Sequence, residues 1–74
     1  MNVKLTSLQK GEKGKVHAID AGKHATKRLY EMGFNTSARV TVIKNDAGPV
    51  IVSINGNKVA LGRGLAYKVL LARD

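Results

Sequence analysis

The dipeptide Asn55-Gly56 restricts the fold of this chain more than any other feature, because it separates two short segments that carry apolar residues at alternating positions. Asn and Gly both accept the positive φ angles of a two-residue type I′ turn, so the pair predicts a tight hairpin. A two-residue turn pairs Val52 with Val59, which fixes the register of both strands. That register predicts one apolar hairpin face made of Val50, Val52, Ile54, Val59 and Leu61.

Two further strands follow from the apolar pattern. Residues 39–44 alternate and are rich in β-branched side chains, which is typical of a half-buried strand. Residues 15–20 predict a first strand, whose imperfect alternation is explained by a bulge. The preceding segment, residues 11–14, contains two glycines and predicts a turn.

Residues 22–32 predict a single helix, because Ala25, Leu29 and Met32 recur at positions i, i+4 and i+7. Gly33 is suited to the left-handed position after a helix, and Phe34 is then placed to cover Leu29. The start is less defined, since Asp20 and Gly22 are both suitable N-caps.

The remaining segments complete a mainly β fold. Leu5 and Leu8 predict a short turn that closes the core, and residues 62–66 predict a single 3₁₀ turn. Residues 67–73 predict the last strand, with Val69 and Leu71 facing inward. The expected architecture is a small SH3-like barrel of about five strands in one domain spanning residues 1–74. One short helix follows the first strand, and the 3₁₀ turn precedes the last.

The chain is strongly basic, with thirteen Lys and Arg against five Asp and Glu in 74 residues, and a formal charge of +8. The excess is equal in residues 1–37 and 38–74, and no run of five or more like charges occurs, so the sequence predicts a diffuse basic surface. A patch for phosphates or for an acidic partner is the alternative. The absence of cysteine excludes disulfides and thiolate metal sites. No signal peptide or apolar span is visible, so we expect a cytoplasmic protein without direct membrane insertion.

An ordered set of short motifs resembles the FeoA family, small SH3-like proteins of bacterial ferrous iron uptake. The matching pieces are Leu5-x-x-Leu8-x-x-Gly11, Gly14-x-Val16-x-x-Ile19, Arg28-Leu29-Tyr30-Glu31-Met32-Gly33-Phe34, Val40-x-Val42, Gly48-Pro49-Val50, Asn55-Gly56, Val59-Ala60-Leu61-Gly62-Arg63, Ala66 and Val69-x-Leu71. One departure concerns Thr36-Ser37, where the family usually has Pro-Gly. The resemblance implies a cytoplasmic accessory protein with no cofactor. Its implied partner is the membrane transporter FeoB, through docking on the cytosolic GTP-binding domain.

No catalytic arrangement of residues is recognisable, so we expect no enzymatic activity. The serines have no neighbouring base in any motif, and the acids lack the paired spacing of acid–base catalysis. His17, Asp20 and His24 are the candidate metal ligands, since two His and one carboxylate suit ferrous iron. The alternative, which we favour, is that these are surface histidines and a helix-cap aspartate.

The end of the predicted helix is the candidate partner-binding surface. Tyr and Arg are common interface anchors, and the basic charge would steer docking onto an acidic partner. The candidate residues are Lys27, Arg28, Leu29, Tyr30, Met32 and Phe34. For the three apolar members the alternative is core packing, and for Arg28 and Tyr30 it is an ordinary exposed face. Two other functions remain open, namely a nucleic-acid-binding module and a ferrous-iron-binding protein. A monomer is expected, although the sequence does not determine the oligomeric state.

Overall fold

The computed structural model describes residues 2–73 of the chain, in which six strands form one antiparallel sheet of order β1-β6-β2-β3-β4-β5. A 3₁₀ turn over Leu5–Ser7 follows β1, and two helices interrupt the remaining strands. The prediction of a mainly β fold is confirmed. The elements are β1 (Asn2–Lys4), β2 (Lys13–Ile19), α1 (Lys23–Glu31), β3 (Arg39–Lys44), β4 (Val50–Ile54), β5 (Asn57–Leu61), α2 (Arg63–Ala66) and β6 (Val69–Arg73).

The β4–β5 hairpin has the predicted register, with Val52 opposite Val59. Asn55 and Gly56 have φ angles of 52° and 76°, as the type I′ turn requires. The predicted apolar face is confirmed, although Val59, in the middle of the edge strand β5, is only partly buried. This hairpin forms one end of the sheet and carries part of the core.

The first predicted strand is displaced towards the N-terminus. β2 begins at Lys13, and Gly14 pairs within the sheet with both Val40 and Arg73. The turn predicted over residues 11–14 is therefore wrong at Lys13 and Gly14, because the chain reverses earlier, at residues 10–11. The predicted bulge is confirmed between Val16 and Ala18.

Helix α1 is followed by Gly33 in the predicted left-handed position, and the hydrogen bonds there form a Schellman motif. The N–H of Phe34 donates to the Leu29 carbonyl at 3.0 Å, and the N–H of Gly33 donates to the Tyr30 carbonyl at 3.0 Å. Leu29 and Phe34 are both fully buried, so the cap fixes the helix end to the core. At the other end Gly22 is the N-cap, without a side-chain hydrogen bond, and Asp20 has no capping role.

Two terminal segments differ from the prediction. Residues 63–66 form a short α-helix instead of a 3₁₀ turn, because the N–H of Ala66 reaches the Gly62 carbonyl four residues earlier, at 2.9 Å. Tyr67 continues this helical turn by bonding to Arg63, so the last strand starts at Val69 and not at residue 67. A sixth strand, β1, was not predicted and pairs only with β6 among residues 2–73.

The core collects apolar residues from every strand except β1 and from both helices and the 3₁₀ turn. It consists of Leu5, Leu8, Val16, Leu29, Phe34, Val40, Val42, Val50, Val52, Ile54, Leu61, Ala66, Val69 and Leu71. Within residues 2–73 no polar or charged residue is buried. Because the interior is filled by aliphatic side chains and one Phe, the polar chemistry of the described chain lies on its surface.

Candidate functional site

The solvent face of α1 presents a basic and aromatic surface at its C-terminal end. Lys27, Arg28 and Tyr30 are exposed there, and 48% of Tyr30 is accessible to solvent. Arg28 lies in the last turn, where a cation is favoured by the helix dipole. We call these three side chains the α1 surface.

The apolar members of the predicted docking set have a different position. Leu29 and Phe34 are 0% exposed and belong to the core, and Met32 is partly buried against it. Their side chains hold α1 on the sheet, and the first two are inaccessible to a partner in this structure. The structure therefore brings all six predicted residues to one region but separates them into supporting and exposed groups.

The three metal-ligand candidates lie on successive segments of the chain. His17 is on β2, Asp20 follows that strand, and His24 is in the first turn of α1, each exposed to solvent. Among residues 2–73 no group of three or more His, Cys, Asp or Glu is arranged to hold a metal ion. The described side chains thus do not assemble the two-His, one-carboxylate site considered above.

Arg63 forms a hydrogen-bonded clamp that no local sequence pattern indicates. Its guanidinium donates to the carbonyls of Asp46 and Gly48 at 2.9 and 3.0 Å, and to Oδ1 of Asn45 at 2.7 Å. Nδ2 of Asn45 in turn donates to the carbonyls of Thr6 and Leu8, at 3.0 and 2.6 Å. These contacts tie α2 and the 3₁₀ turn to the β3–β4 loop, so Arg63 in the Leu-Gly-Arg motif has a structural role.

Two other exposed groups have partners on the same chain. The ammonium of Lys4 lies 3.8 Å from the ring centroid of Tyr67, which is 56% exposed. Arg73 forms an ion pair with Glu12, which links the last strand to the loop before β2. Tyr67 is thus a second exposed tyrosine with a neighbouring Lys, outside the α1 surface.

Solved structures with the same fold define the class of this protein. It superposes on the crystal structure of an iron uptake regulatory protein, FeoA, with a TM-score of 0.94, 35% identity and full coverage of both chains. It also matches Stenotrophomonas maltophilia FeoA, described as a procaryotic SH3 domain protein. That match has a TM-score of 0.83 and 21% identity, and covers 95% of this chain and 89% of the other. The protein is therefore a small SH3-like β domain.

The sequence comparisons give the family. The FeoA domain family matches residues 3–73. A protein of Methanocaldococcus jannaschii named "Putative Fe(2+) transport protein A" is 45% identical over 67 residues, covering 90% of this chain and 82% of the relative. The chain belongs to the FeoA family, whose members are accessory proteins of ferrous iron transport. Within residues 2–73 no helix has the length and apolarity needed to cross a bilayer.

Proposed function

We propose that this protein is a non-catalytic regulatory module of ferrous iron uptake that docks on the cytosolic GTP-binding domain of a FeoB-like transporter. The site of action is accordingly cytoplasmic. Family membership supports the role in this process, as do the names of two similar proteins described above, an iron uptake regulatory protein and an Fe(2+) transport protein.

The α1 surface is the observation that carries the docking proposal. Tyr30 is a large amphipathic side chain that remains 48% exposed, and it is flanked by exposed Lys27 and Arg28. Tyr and Arg are enriched among interface residues with large binding energies, since they combine contact area with directed hydrogen bonds. Such a cluster is expected at the centre of an interface.

The packing of α1 against the core also favours binding of a partner. Leu29 and Phe34 are fully buried, and the Schellman motif between them fixes the last helical turn. A surface that is already ordered loses little conformational entropy when a partner covers it. In this proposal Lys27, Arg28 and Tyr30 contact the partner, Met32 lies at the margin, and Leu29 and Phe34 position the helix.

An amide NMR titration of the labelled protein with the isolated GTP-binding domain of a FeoB-like transporter tests this function. We expect saturable shifts concentrated in residues 27–34. Replacing Tyr30 by Ala should weaken binding at least about tenfold, as is typical of an interface anchor. GTP hydrolysis measured in the same mixtures gives the direction of regulation.

The matched control is Tyr67→Ala, since Tyr67 is also an exposed tyrosine, at 56% against 48% for Tyr30, but lies outside α1. It should leave the affinity within about twofold of the unmodified protein. Both variants should unfold at nearly the same temperature, because both rings are on the surface. A titration without shifts from the transporter domain, or an equal loss of affinity in the two variants, would contradict the proposal. Saturable shifts from an oligonucleotide alone would instead favour a nucleic-acid-binding function.

A further inference from the structure

A cleft of about 570 Å³ lies beside the β3–β4 loop, and none of its lining residues belongs to the α1 surface. It is lined by Lys10, Ile43, Lys44, Asn45, Asp46, Ile51 and Lys58. Clefts that bind small ligands commonly have volumes of about 300–1,000 Å³. The cleft is therefore large enough for one or two side chains of a partner, although not for a folded domain.

The apolar part of the lining results from an irregularity in the sheet. Val42 pairs with Val52, whereas the next pair joins Lys44 to Ile51, so Ile43 is an extra residue on β3. A bulge of this kind places two residues of one strand opposite one residue of the other. Ile43 and Ile51 consequently lie together, each only partly buried, beside the charged Lys44.

Lysines from three separate segments surround these isoleucines. Lys10 precedes β2, Lys44 ends β3 and Lys58 lies on β5, and all three are exposed. The Lys10 loop is fixed to β3, since the N–H of Gly11 donates to the Val42 carbonyl at 2.8 Å. With Asp46 as the single acidic lining residue, the cleft carries a formal charge of +2.

The loop that borders the cleft is held in place before any ligand arrives. Arg63 binds two carbonyls of this loop and the side chain of Asn45. Asn45 also donates to the carbonyls of Thr6 and Leu8, so its position is fixed from both sides. A preorganised border lowers the entropic cost of binding, and it distinguishes this cleft from a chance depression between mobile side chains.

We propose that this cleft binds a short acidic segment of a partner protein. One aliphatic side chain of that segment packs against Ile43 and Ile51, and flanking carboxylates lie beside Lys10, Lys44 and Lys58. The charge of the lining is complementary to such a segment, and its aliphatic part requires an apolar anchor.

A peptide fits this chemistry better than a nucleic acid does. The lining contains no aromatic side chain on which a base would stack, and no Arg with the bidentate geometry suited to phosphate. Two partly exposed isoleucines have no counterpart in a phosphate backbone, whereas they match a Leu or Val side chain. Peptide binding at the cleft does not depend on docking through the α1 surface, so either proposal can fail without the other.

The test uses the full-length labelled protein and the capped peptide Glu-Asp-Leu-Glu-Asp as the probe. We expect saturable amide shifts at Ile43, Lys44, Asp46, Ile51 and Lys58, without shifts in residues 27–34. The peptide Glu-Asp-Ser-Glu-Asp, with equal charge, should bind about fivefold more weakly because it lacks the apolar contact. Replacing Ile51 by Thr should remove that difference between the two peptides.

Two double variants distinguish the effect of the cleft lysines on peptide affinity from the effect of the total charge. Changing Lys44 and Lys58 to Glu should weaken binding of the Leu peptide about tenfold or more, because two attractions become repulsions. Changing Lys15 and Lys68 to Glu alters the total charge equally, but these exposed residues lie outside the cleft. That control should retain most of the affinity.

Three results would overturn the proposal. The first is an equal loss of affinity in the two double variants, which would indicate attraction by total charge alone. The second is a set of peptide-induced shifts outside the cleft residues. The third is the same cleft shifts at lower concentrations of oligothymidylate or inorganic phosphate, which would assign the cleft to phosphate groups.

Discussion

Burial divides the residues near the end of α1 into two groups with different consequences for mutation. Leu29 and Phe34 are 0% exposed, so truncating either one opens a cavity in the core. Tyr30 is 48% exposed, so its truncation changes the surface with little effect on packing. Loss of partner binding by a Leu29 or Phe34 variant would therefore say little about contacts, whereas loss by a Tyr30 variant would be direct evidence of an interface.

Gly33 determines how α1 meets the next segment, and replacing it by Ala should destabilise the protein. Its φ of 105° is rarely adopted by residues with a side chain, and an added Cβ would lie 2.8 Å from Nδ2 of Asn55. We expect a loss of about 1–2 kcal/mol in the free energy of unfolding. Urea denaturation followed by circular dichroism measures this difference.

Gly64→Ala is the matched control for this prediction. Gly64 lies in α2, has no positive φ and would place its Cβ in open space. Ala is favoured over Gly in helices, so this variant should be unchanged or more stable by up to about 1 kcal/mol. Equal destabilisation by the two substitutions would show that the Gly33 effect does not come from its backbone conformation.

At the scale of elements, local signals predicted the fold where a short segment determines its own geometry. Asn55-Gly56 defines the β4–β5 register, and Gly33-Phe34 defines the end of α1, because both depend on nearby residues. β1 was missed, since Val3 is the single apolar residue in a three-residue strand whose partner lies near the other end of the chain. Strands of this kind depend on long-range pairing.

The functional surfaces also have a part that local sequence predicts and a part that it does not. The sequence placed Tyr30 and Arg28 near the helix end, and the helical period accounted for burial of Leu29. The cleft and its clamp were not predictable, because Arg63 bonds to residues 15–18 positions away and Asn45 to residues 37–39 positions away. No local pattern specifies contacts between such distant polar groups.

Arg63→Ala should loosen the β3–β4 loop without unfolding the sheet. The substitution removes hydrogen bonds to two carbonyls and to Asn45, all at exposed positions. We expect a destabilisation on the order of 1 kcal/mol and faster amide hydrogen exchange in residues 45–48. Exchange rates in the β4–β5 hairpin should change little.

Arg63→Lys distinguishes the hydrogen-bonding geometry from the charge. Lys keeps the positive charge but lacks the planar guanidinium that reaches three acceptors. The Lys variant should therefore resemble the Ala variant in loop exchange. Full retention of slow exchange in Arg63→Lys would show that charge, and not the clamp, orders the loop.

At the scale of the whole molecule, the surplus of positive charge opposes folding. Thirteen basic residues face five acidic ones, and the Cα atoms span only 29 × 25 × 22 Å. At about 0.01 M salt the Debye length is roughly 30 Å, so charges repel across the entire molecule. At about 0.1 M it falls to roughly 10 Å, and only neighbouring charges still interact.

Thermal stability should therefore rise with salt over this range. We expect the melting temperature to increase by about 3 °C, which for a domain of this size corresponds to somewhat less than 1 kcal/mol. Salt also weakens the attraction within the exposed Arg73–Glu12 pair, which lowers the stability. This effect is small, because surface ion pairs contribute little to the free energy of unfolding. Calorimetry at constant pH measures the change.

The double variant Lys15→Glu, Lys68→Glu tests whether the repulsion is global. It lowers the formal charge from +8 by four units, since each substitution removes one positive charge and adds one negative charge. The variant should melt at a higher temperature in low salt and respond less to added salt than the unmodified protein. A melting temperature that falls with salt in the unmodified protein would show instead that local attractions outweigh the overall repulsion. The basic surface would then be a set of paired charges, with less capacity to attract an acidic partner.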